Sequence, residues 1–392
     1  LNLTNYQNLL VNTLLSFKIY TSTNELPVNW NEITIDNIFL TKEYLEILEK
    51  AAPKNMTCFF VGIFMEGELV GIALSQFLDL NKLESFGERD KCVKTAVRNF
   101  VFKNFCSHVL FVGNNMLTGK NGYAFSKKIG ETQVVKTLQM ASISIRKELK
   151  LAGKNIHITT FKDLYSEDIK EFTIPEFKKL YQFSTQPNMI FKIESNWKTE
   201  NDYVDSLTKK YRDQYKRARK KAEGIEKRKM HLEDIIKHED VIYDLYFHVA
   251  KNAPFNTFFL PKNHFRVFKE QLKDQFLFYG YFLNEQLIGF NTLIKNGKIM
   301  ETYFLGYDDT IQREKMLYLN MLYDMVGYSI NKNFEKIIFG RTALEIKSSV
   351  GAKPVETFGY IEHSSAIINS KMETLFCYLE PKTDWKERNP FK

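Results

Sequence analysis

The sequence predicts an α+β (mixed α/β) protein that carries one folding unit twice, and three observations lead there. First, two stretches repeat: residues 61–74 read VGIFMEGELVGIAL and residues 279–292 read YGYFLNEQLIGFNT. Setting Gly62 on Gly280, an offset of 218 residues, also sets Phe64 on Phe282, Leu69 on Leu287, Val70 on Ile288 and Gly71 on Gly289. Second, both stretches alternate apolar and other residues about a short polar turn, the mark of a hairpin. Third, segments of helical spacing alternate with strand-like runs after each hairpin, which fits neither an all-α nor an all-β chain.

Taken in order, residues 1–56 are mixed and are expected to supply peripheral helices, among them YLEILEKAA, which runs up to Pro53. The first hairpin follows. Residues 88–107 have helical spacing, with Val93, Val97, Phe100 and Val101 on one side. HVLFVGNN then reads as a short buried strand, residues 131–151 as a helix and NIHITTF as a strand. Near Phe172 a second half begins, leading into a polar, basic helix at about 203–223 and a helix at about 232–251. After the second hairpin come the strand KIMETYFLGY, the helix DTIQREKMLYLNMLYDMVGYSINKN, the strand KIIFG and the short helical stretch TALEIKSSVGAKP. VETFGYIE and METLFCYLE are expected as a terminal strand pair. The expected division is a first domain at 1–171 and a second at 172–392.

Composition sets limits. A chain of 392 residues that is 44% hydrophobic, with only nine prolines and no Gly/Ser-rich linker, has the composition of a folded protein and suits two domains better than one core. The formal charge of +8 permits an anionic partner without naming one. Cys58, Cys92, Cys106 and Cys377 show no pairing pattern and fit a reducing, cytoplasmic setting, with Cys377 buried in the strand LFCYLE. The first residues do not read as a secretory leader, and no apolar run is long enough for a membrane span. Between Lys209 and Lys221 stand Lys209, Lys210, Arg212, Lys216, Arg217, Arg219, Lys220 and Lys221 against the single acid Asp213. This is a solvated helix face, a basic lip over an anionic substrate, or a contact with nucleic acid or membrane headgroups. Tyr203, Tyr211 and Tyr215 recur at helical spacing and are read as packing.

The order of elements resembles the GNAT superfamily of N-acetyl- and N-acyltransferases. Duplication with a basic helix, YVDSLTKKYRDQYKRARKKAE, before the second copy resembles the tandem-GNAT group that includes the FemAB-type peptidoglycan aminoacyltransferases. GYDDTIQREKMLYLNMLYDMV is similar to that group's cofactor-facing loop and helix, and FGRTALEIKSSVGAKP to its strand, short helix and lysine segment, with Lys347 on the family's lysine. The resemblance covers roughly residues 57–380. It implies transfer of an acyl or aminoacyl group from a thioester or ester to an amine. No tightly held cofactor is implied; acyl-CoA, acyl carrier protein or aminoacyl-tRNA would be the donor substrate. The acceptor would be a small molecule or a cell-envelope precursor, and nucleic acid would be a partner only as charged tRNA. One departure stands out: GYDDTIQREKMLYLN lacks a Gly-x-Gly/Ala pattern, and Asp308 and Asp309 are placed to cap the helix that follows.

Acyl transfer to an amine needs a base, positioning and a donor for the developing oxyanion. Glu301 in KIMETYF is the first candidate for the base. Strand alternation puts it with Tyr303 on one face and Met300 with Thr302 on the other. Tyr323 is a candidate acid for the leaving group. Tyr307, Thr310, Arg313, Arg341 and Lys347 are candidates for holding the donor, the last two through phosphate or carboxylate. Solvent exposure would explain Glu301, Arg341 and Lys347 equally well. In the first copy, LFVGNNMLTGKNGYAF falls where FGRTALEIKSSVG falls in the second; its Asn114, Asn115, Thr118 and Lys120 are candidates for lining a substrate groove, as are Lys216 and Arg217. The seven histidines lack metal-ligand spacing, and no Walker loop, HExxH, GxSxG or CxxC occurs, so no metal site is expected. Two other readings stay open: a non-catalytic tandem-GNAT module binding a polysaccharide, lipid or protein, and an RNA-binding protein using the basic helix.

Overall fold

The computed structural model describes residues 15–34, 37–82, 105–253, 256–379 and 385–392. Short 3-10 turns aside, the chain runs through β1 (Leu15–Tyr20), α1 (Lys42–Ala51), β2 (Met56–Met65), β3 (Glu68–Asp79), β4 (His108–Val112), β5 (Tyr123–Phe125), α2 (Glu131–Leu151), β6 (Ile158–Leu164) and β7 (Tyr181–Lys192). It continues as α3 (Glu200–Ser206), α4 (Lys209–Lys221), β8 (Ile225–Lys229), α5 (Leu232–Lys237), α6 (Glu239–Asn252), α7 (His264–Leu272), β9 (Phe276–Leu283), β10 (Gln286–Asn296) and β11 (Ile299–Tyr307). Last come α8 (Asp309–Lys315), α9 (Leu317–Asn331), β12 (Lys336–Gly340), α10 (Leu344–Ser349), β13 (Lys353–His363), α11 (Ala366–Asn369) and α12 (Met372–Leu379).

Two units result, one from described residues within 1–185 and 356–382, the other from those within 186–355 and 383–392. Consecutive domains at 1–171 and 172–392 are therefore not what forms. Residues 358–363 of β13 pair with β6 and so belong to the first unit's sheet, although they lie near the end of the chain.

In the first unit β1, β2, β3 and β4 pair antiparallel in that order, and β4 pairs parallel with β6. Helix α2 covers this sheet: Val134, Val135, Leu138, Ala141, Ile145 and Leu149 share a core with Leu15, Val61, Val70, Ala73, Leu110 and Val112. The second unit repeats the plan. Strands β8, β9, β10 and β11 pair antiparallel, β11 pairs parallel with β12, and β12 pairs antiparallel with residues 189–192 of β7. The two similar hairpins are β2–β3 and β9–β10, so the repeat in the sequence is a repeat of the fold.

Strand pairing corrects one alignment. Strand β4 pairs with its hairpin on one side and a parallel strand on the other, as β11 does, so 110–125 corresponds to the β11–α8 region and not to FGRTALEIKSSVG. Other differences are local. Residues 15–20 form a strand where helices are expected, and residues 225–229 add an edge strand. The helix expected at 232–251 divides at His238, and that expected from Asp309 to Asn331 breaks at Met316, whose φ is +50°. METLFCYL is helical, not a strand; Met372, Leu375, Phe376 and Leu379 follow a period of three to four residues. Cys377 thus sits in a helix. The helix expected at 88–107 lies outside the described residues save for its last three.

Helices cover both faces of the second sheet. Leu317 and Met321 of α9 lie over Gly289 on one face. On the other, α6 comes so close to β11 that a Cβ on Gly306 would meet main-chain atoms of Leu245 and Tyr246 at 2.6 Å. Only glycine fits there.

Candidate active site where two strands part

Strands β11 and β12 pair over three positions only, Ile299 with Lys336, Met300 with Ile337 and Glu301 with Ile338. One further tie follows, from the Thr302 hydroxyl to the Ile338 carbonyl at 3.0 Å. Beyond it β11 runs on to Tyr307, while β12 ends at Gly340 and turns away through Thr342 and Ala343, both at positive φ. Strand β11 also bulges here. Asn291 faces Leu305 and Leu293 faces Thr302, so Tyr303 and Phe304 together stand opposite Thr292. A bulge takes one residue out of the ladder and re-aims its neighbours.

Glu301 is the last paired residue before the strands part. It is 6% exposed, so solvent does not explain it. Phe276, Ile294, Glu301 and Ile338 form a row across β9, β10, β11 and β12. The Phe276 ring lies 5.1 Å from that of Phe268, which places the whole row on the α7 face. Burial raises the Glu301 carboxyl to about 8, although a hydrogen bond with Asn296 and the charge of Lys336 pull the other way. Such a carboxyl changes protonation near neutral pH and is a far stronger base than an exposed glutamate. Tyr303, in the next row, has its hydroxyl 3.0 Å from Nε2 of the fully buried His264.

Lys347 is buried too, and its ammonium donates to the carbonyls of Phe339 at 2.7 Å, Gly340 at 3.3 Å and Arg341 at 2.8 Å. Three donors meet three acceptors, which is the stoichiometry of the charged form, while burial draws the pKa down to about 7. The lysine ties down the end of β12, one residue past the partner of Glu301. Arg341 donates from Nε to the Gln186 carbonyl at 3.1 Å. Both cations are thus held by main chain at the same strand end.

The turn after β11 carries the remaining donor candidates. Asp308 caps α8, accepting from the Thr310 amide at 2.8 Å and the Thr310 hydroxyl at 2.6 Å. Asp309 meets Nε2 of His248 at 2.6 Å, Tyr307 packs beside Tyr318, and Arg313 is exposed.

Tyr323 is not brought to Glu301. It belongs to α9, which covers the face of Met300, and strand alternation sends Glu301 to the opposite face. Its hydroxyl accepts from Gln214 at 3.2 Å, and burial raises it to about 12. Around it the basic helix is anchored: Arg219 donates to Glu200 at 2.6 Å and to Asp324 at 2.7 Å, and Asp324 also accepts from Tyr281 at 2.8 Å. Arg212 turns inward to the Leu207 carbonyl at 2.9 Å, whereas Lys216 and Arg217 are exposed.

The first-unit candidates are held locally. Asn114 donates to the Tyr44 hydroxyl at 2.8 Å and accepts from the Met116 amide at 3.0 Å. The Asn115 amide donates to Gln76 at 2.6 Å, the Thr118 carbonyl accepts from Asn121, and Lys120 pairs with Glu131 and Asp168. Two registers agree on what stands where Glu301 would. Phe111 is the third parallel-paired residue of β4, as Glu301 is of β11. Phe111 also faces Gln76, and Gln76 lies 218 residues before Ile294, the partner of Glu301. A phenyl ring therefore occupies the place of the carboxyl.

Two antiparallel hairpins, each followed by a third antiparallel strand, a helical crossover and a parallel strand, can be compared with solved structures. The crystal structure of FemX matches with a TM-score of 0.51 at 11% identity, over 91% of this chain and 99% of that one. The chain has the tandem GNAT fold. Other solved structures align more loosely. A tandem GNAT protein from the clavulanic acid biosynthesis pathway gives 0.47 at 9% identity, over 90% and 99% of the two chains. A conserved protein of unknown function from Bacteroides thetaiotaomicron gives 0.46 at 11% identity, over 85% and 96%. No family model and no curated protein matches the sequence. Among the described residues, no helix is long and apolar enough to cross a membrane.

Proposed function

We propose that the second unit transfers an acyl or aminoacyl group from a thioester or ester to an amine, with Glu301 as general base. The observation that carries this is a buried carboxyl of raised pKa at the point where two parallel strands part. Ionised Glu301 takes a proton from the attacking amine as the N–C bond forms; the bond from the acyl carbon to the donor's sulfur or oxygen breaks, and its electron pair leaves with that heteroatom, which solvent protonates. The bulge at Tyr303 and Phe304 favours a main-chain N–H outside the ladder, the kind of donor an oxyanion needs. The tandem GNAT fold and the resemblance of the sequence to acyl- and aminoacyltransferases support the same reaction class.

The residues after β11 do not fit the diphosphate of coenzyme A. A diphosphate at this turn needs free amides at the start of α8, and there the Thr310 amide already serves Asp308, with Asp309 adding a second acid. The donor class proposed is therefore an activated acyl group on a carrier protein or charged tRNA ahead of free acyl-CoA. Exposed Lys216 and Arg217 suit such an anionic donor, and a small-molecule or cell-envelope amine suits the acceptor role. The capped turn equally favours a second reading, a binding module without turnover.

One experiment separates the two. Donors of the three kinds are incubated with a panel of primary amines and the wild-type protein or Glu301→Gln, and amide product is measured, alongside thermal-shift titration with acetyl-CoA, a long-chain acyl-CoA and free CoA. Product formed by wild type and reduced at least 100-fold in Glu301→Gln supports the base. Ligand-induced stabilisation with no product from any donor supports the binding module instead.

A further inference from the structure

We infer that His108, His157 and His363 form an acid-operated latch in the first unit, which holds the end of β13 and helix α11 on the sheet and releases them when the pH falls. The latch is independent of the chemistry assigned to Glu301.

Three strand ends meet at these rings. His108 opens β4, His157 immediately precedes β6, and His363 closes β13. Ile158 pairs with Val109 on one side and with His363 on the other. The His157 amide donates to the His108 carbonyl at 2.9 Å, and the Ser364 amide to the His157 carbonyl at 2.8 Å. The rings of His108 and His157 stack 5.2 Å apart, and His363 is buried. Helix α11 hangs on the same corner, since the His363 amide donates to Oδ1 of Asn369 at 2.8 Å.

Hydrogen bonds fix where the ring protons are. A backbone amide only donates, so a ring nitrogen that meets one must be bare. Nδ1 of His363 accepts from the Ser365 amide at 2.9 Å, and its Nε2 donates to the Phe105 carbonyl at 2.7 Å. Nδ1 of His157 accepts from the His108 amide at 3.3 Å. Both imidazoles are therefore neutral in the closed form. A proton added to either Nδ1 would face an N–H head-on, break that hydrogen bond and leave the amide without its partner. Burial, then the charges of His108 and His363, lower the pKa of His157 from its ordinary 6.5. Once the corner opens, free imidazoles titrate near about 6.5. Below that pH the open form takes protons that the closed form refuses, so the latch holds above 6.5 and weakens as pH falls beneath it. Charged and titratable neighbours stand elsewhere. His108 donates from Nδ1 to the Asn155 carbonyl at 2.8 Å and turns Nε2 to Asp79 at 3.5 Å. Lys154 lies over the Phe77 ring, Arg146 holds Glu362, which strand alternation sends to the face opposite His363, and burial raises the Cys106 thiol. Among the described residues no acid pairs with His157 or His363.

Amide hydrogen exchange of the full chain at pH 7.5 and 5.0, corrected for the intrinsic rate at each pH, tests the latch, with the histidine ring signals followed by NMR over the same range. Wild type is compared with the double variant His157→Asn, His363→Asn, whose side-chain oxygens can stand in for Nδ1 and take no proton. In wild type, protection of residues 361–370 is expected to fall at least about tenfold at pH 5.0, the effect of one pKa unit of proton preference, with the His157 and His363 rings titrating at the same midpoint. Residues 59–63 of β2 are expected to stay protected. The double variant is expected to change by less than about twofold at 361–370. Wild-type protection that survives to pH 5.0, rings that take protons while the strand end stays closed, or equal loss at 59–63 would overturn the latch. So would a double variant that opens with acid as wild type does. Where that variant is already open at pH 7.5, the wild-type titration decides.

Discussion

Glu301 draws its proposed role from burial, and burial has a consequence for stability that needs no substrate. Its carboxyl titrates near 4.5 when exposed and about 8 when folded. The native protein therefore keeps a proton that the unfolded chain has lost across that window, and stability falls as pH rises through it. Glu301→Gln removes this dependence. It is expected to melt with wild type near pH 4 and above it at pH 9, measured by thermal denaturation at both values. Lys347 is the opposite kind of residue, a buried cation with its donors filled. Lys347→Met leaves three carbonyls without that partner and is expected to cost about 3 kcal/mol in urea denaturation. Loss of under about 0.5 kcal/mol would show that water replaces the ammonium at no cost. The position of Glu301 was legible in KIMETYF, because alternation fixes its face and the family resemblance picks its strand. The His264–Tyr303 contact was not legible: it joins residues 39 apart through the docking of a helix, which no local pattern encodes.

At the scale of elements, the face bearing Glu301 depends on how closely α6 approaches β11. Gly306→Ala drives a Cβ into the main chain of Leu245 and Tyr246, so the helix must move. The expected cost is about 1–3 kcal/mol, with a fall in kcat because the covered face is disturbed. Unchanged stability would mean that the helix gives way freely. The basic helix α4 is the other element with two sides. Its sequence shows a cluster of cations, but not that Arg219 is spent on Glu200 and Asp324. Arg219→Met leaves those two carboxylates without their shared partner and is expected to destabilise by roughly 3 kcal/mol. Lys216→Ala with Arg217→Ala, on the exposed side, is expected to leave the melting temperature unchanged and to weaken only an anionic donor, through KM. The hairpins, α2 and the strand KIIFG were readable because their apolar periods are long and regular. The breaks at His238 and Met316 were not, since a single residue's backbone angles decide them.

For the whole molecule, each unit is assembled from two separate stretches of the chain. Ending the chain at Val355 removes the residues of β13 that pair with β6, so the first unit is expected to lose protection against proteolysis despite an intact stretch from 1 to 185. Retained protection would mean that its sheet closes without β13. Duplication was visible from paired glycines and apolar positions, but a late strand returning to an early sheet leaves no mark in composition or period. The proposed function rests on an asymmetry between the copies: one carries Glu301 and the other Phe111 at the same register. The most direct measurement is kcat/KM against pH for acyl transfer by wild type and by Glu301→Gln. A base that must be ionised is expected to give a rate that climbs from pH 6 and levels off above about 8, with Glu301→Gln flat and at least 100-fold lower. A wild-type profile without that rise, or a Glu301→Gln protein as active as wild type, would contradict Glu301 as the base.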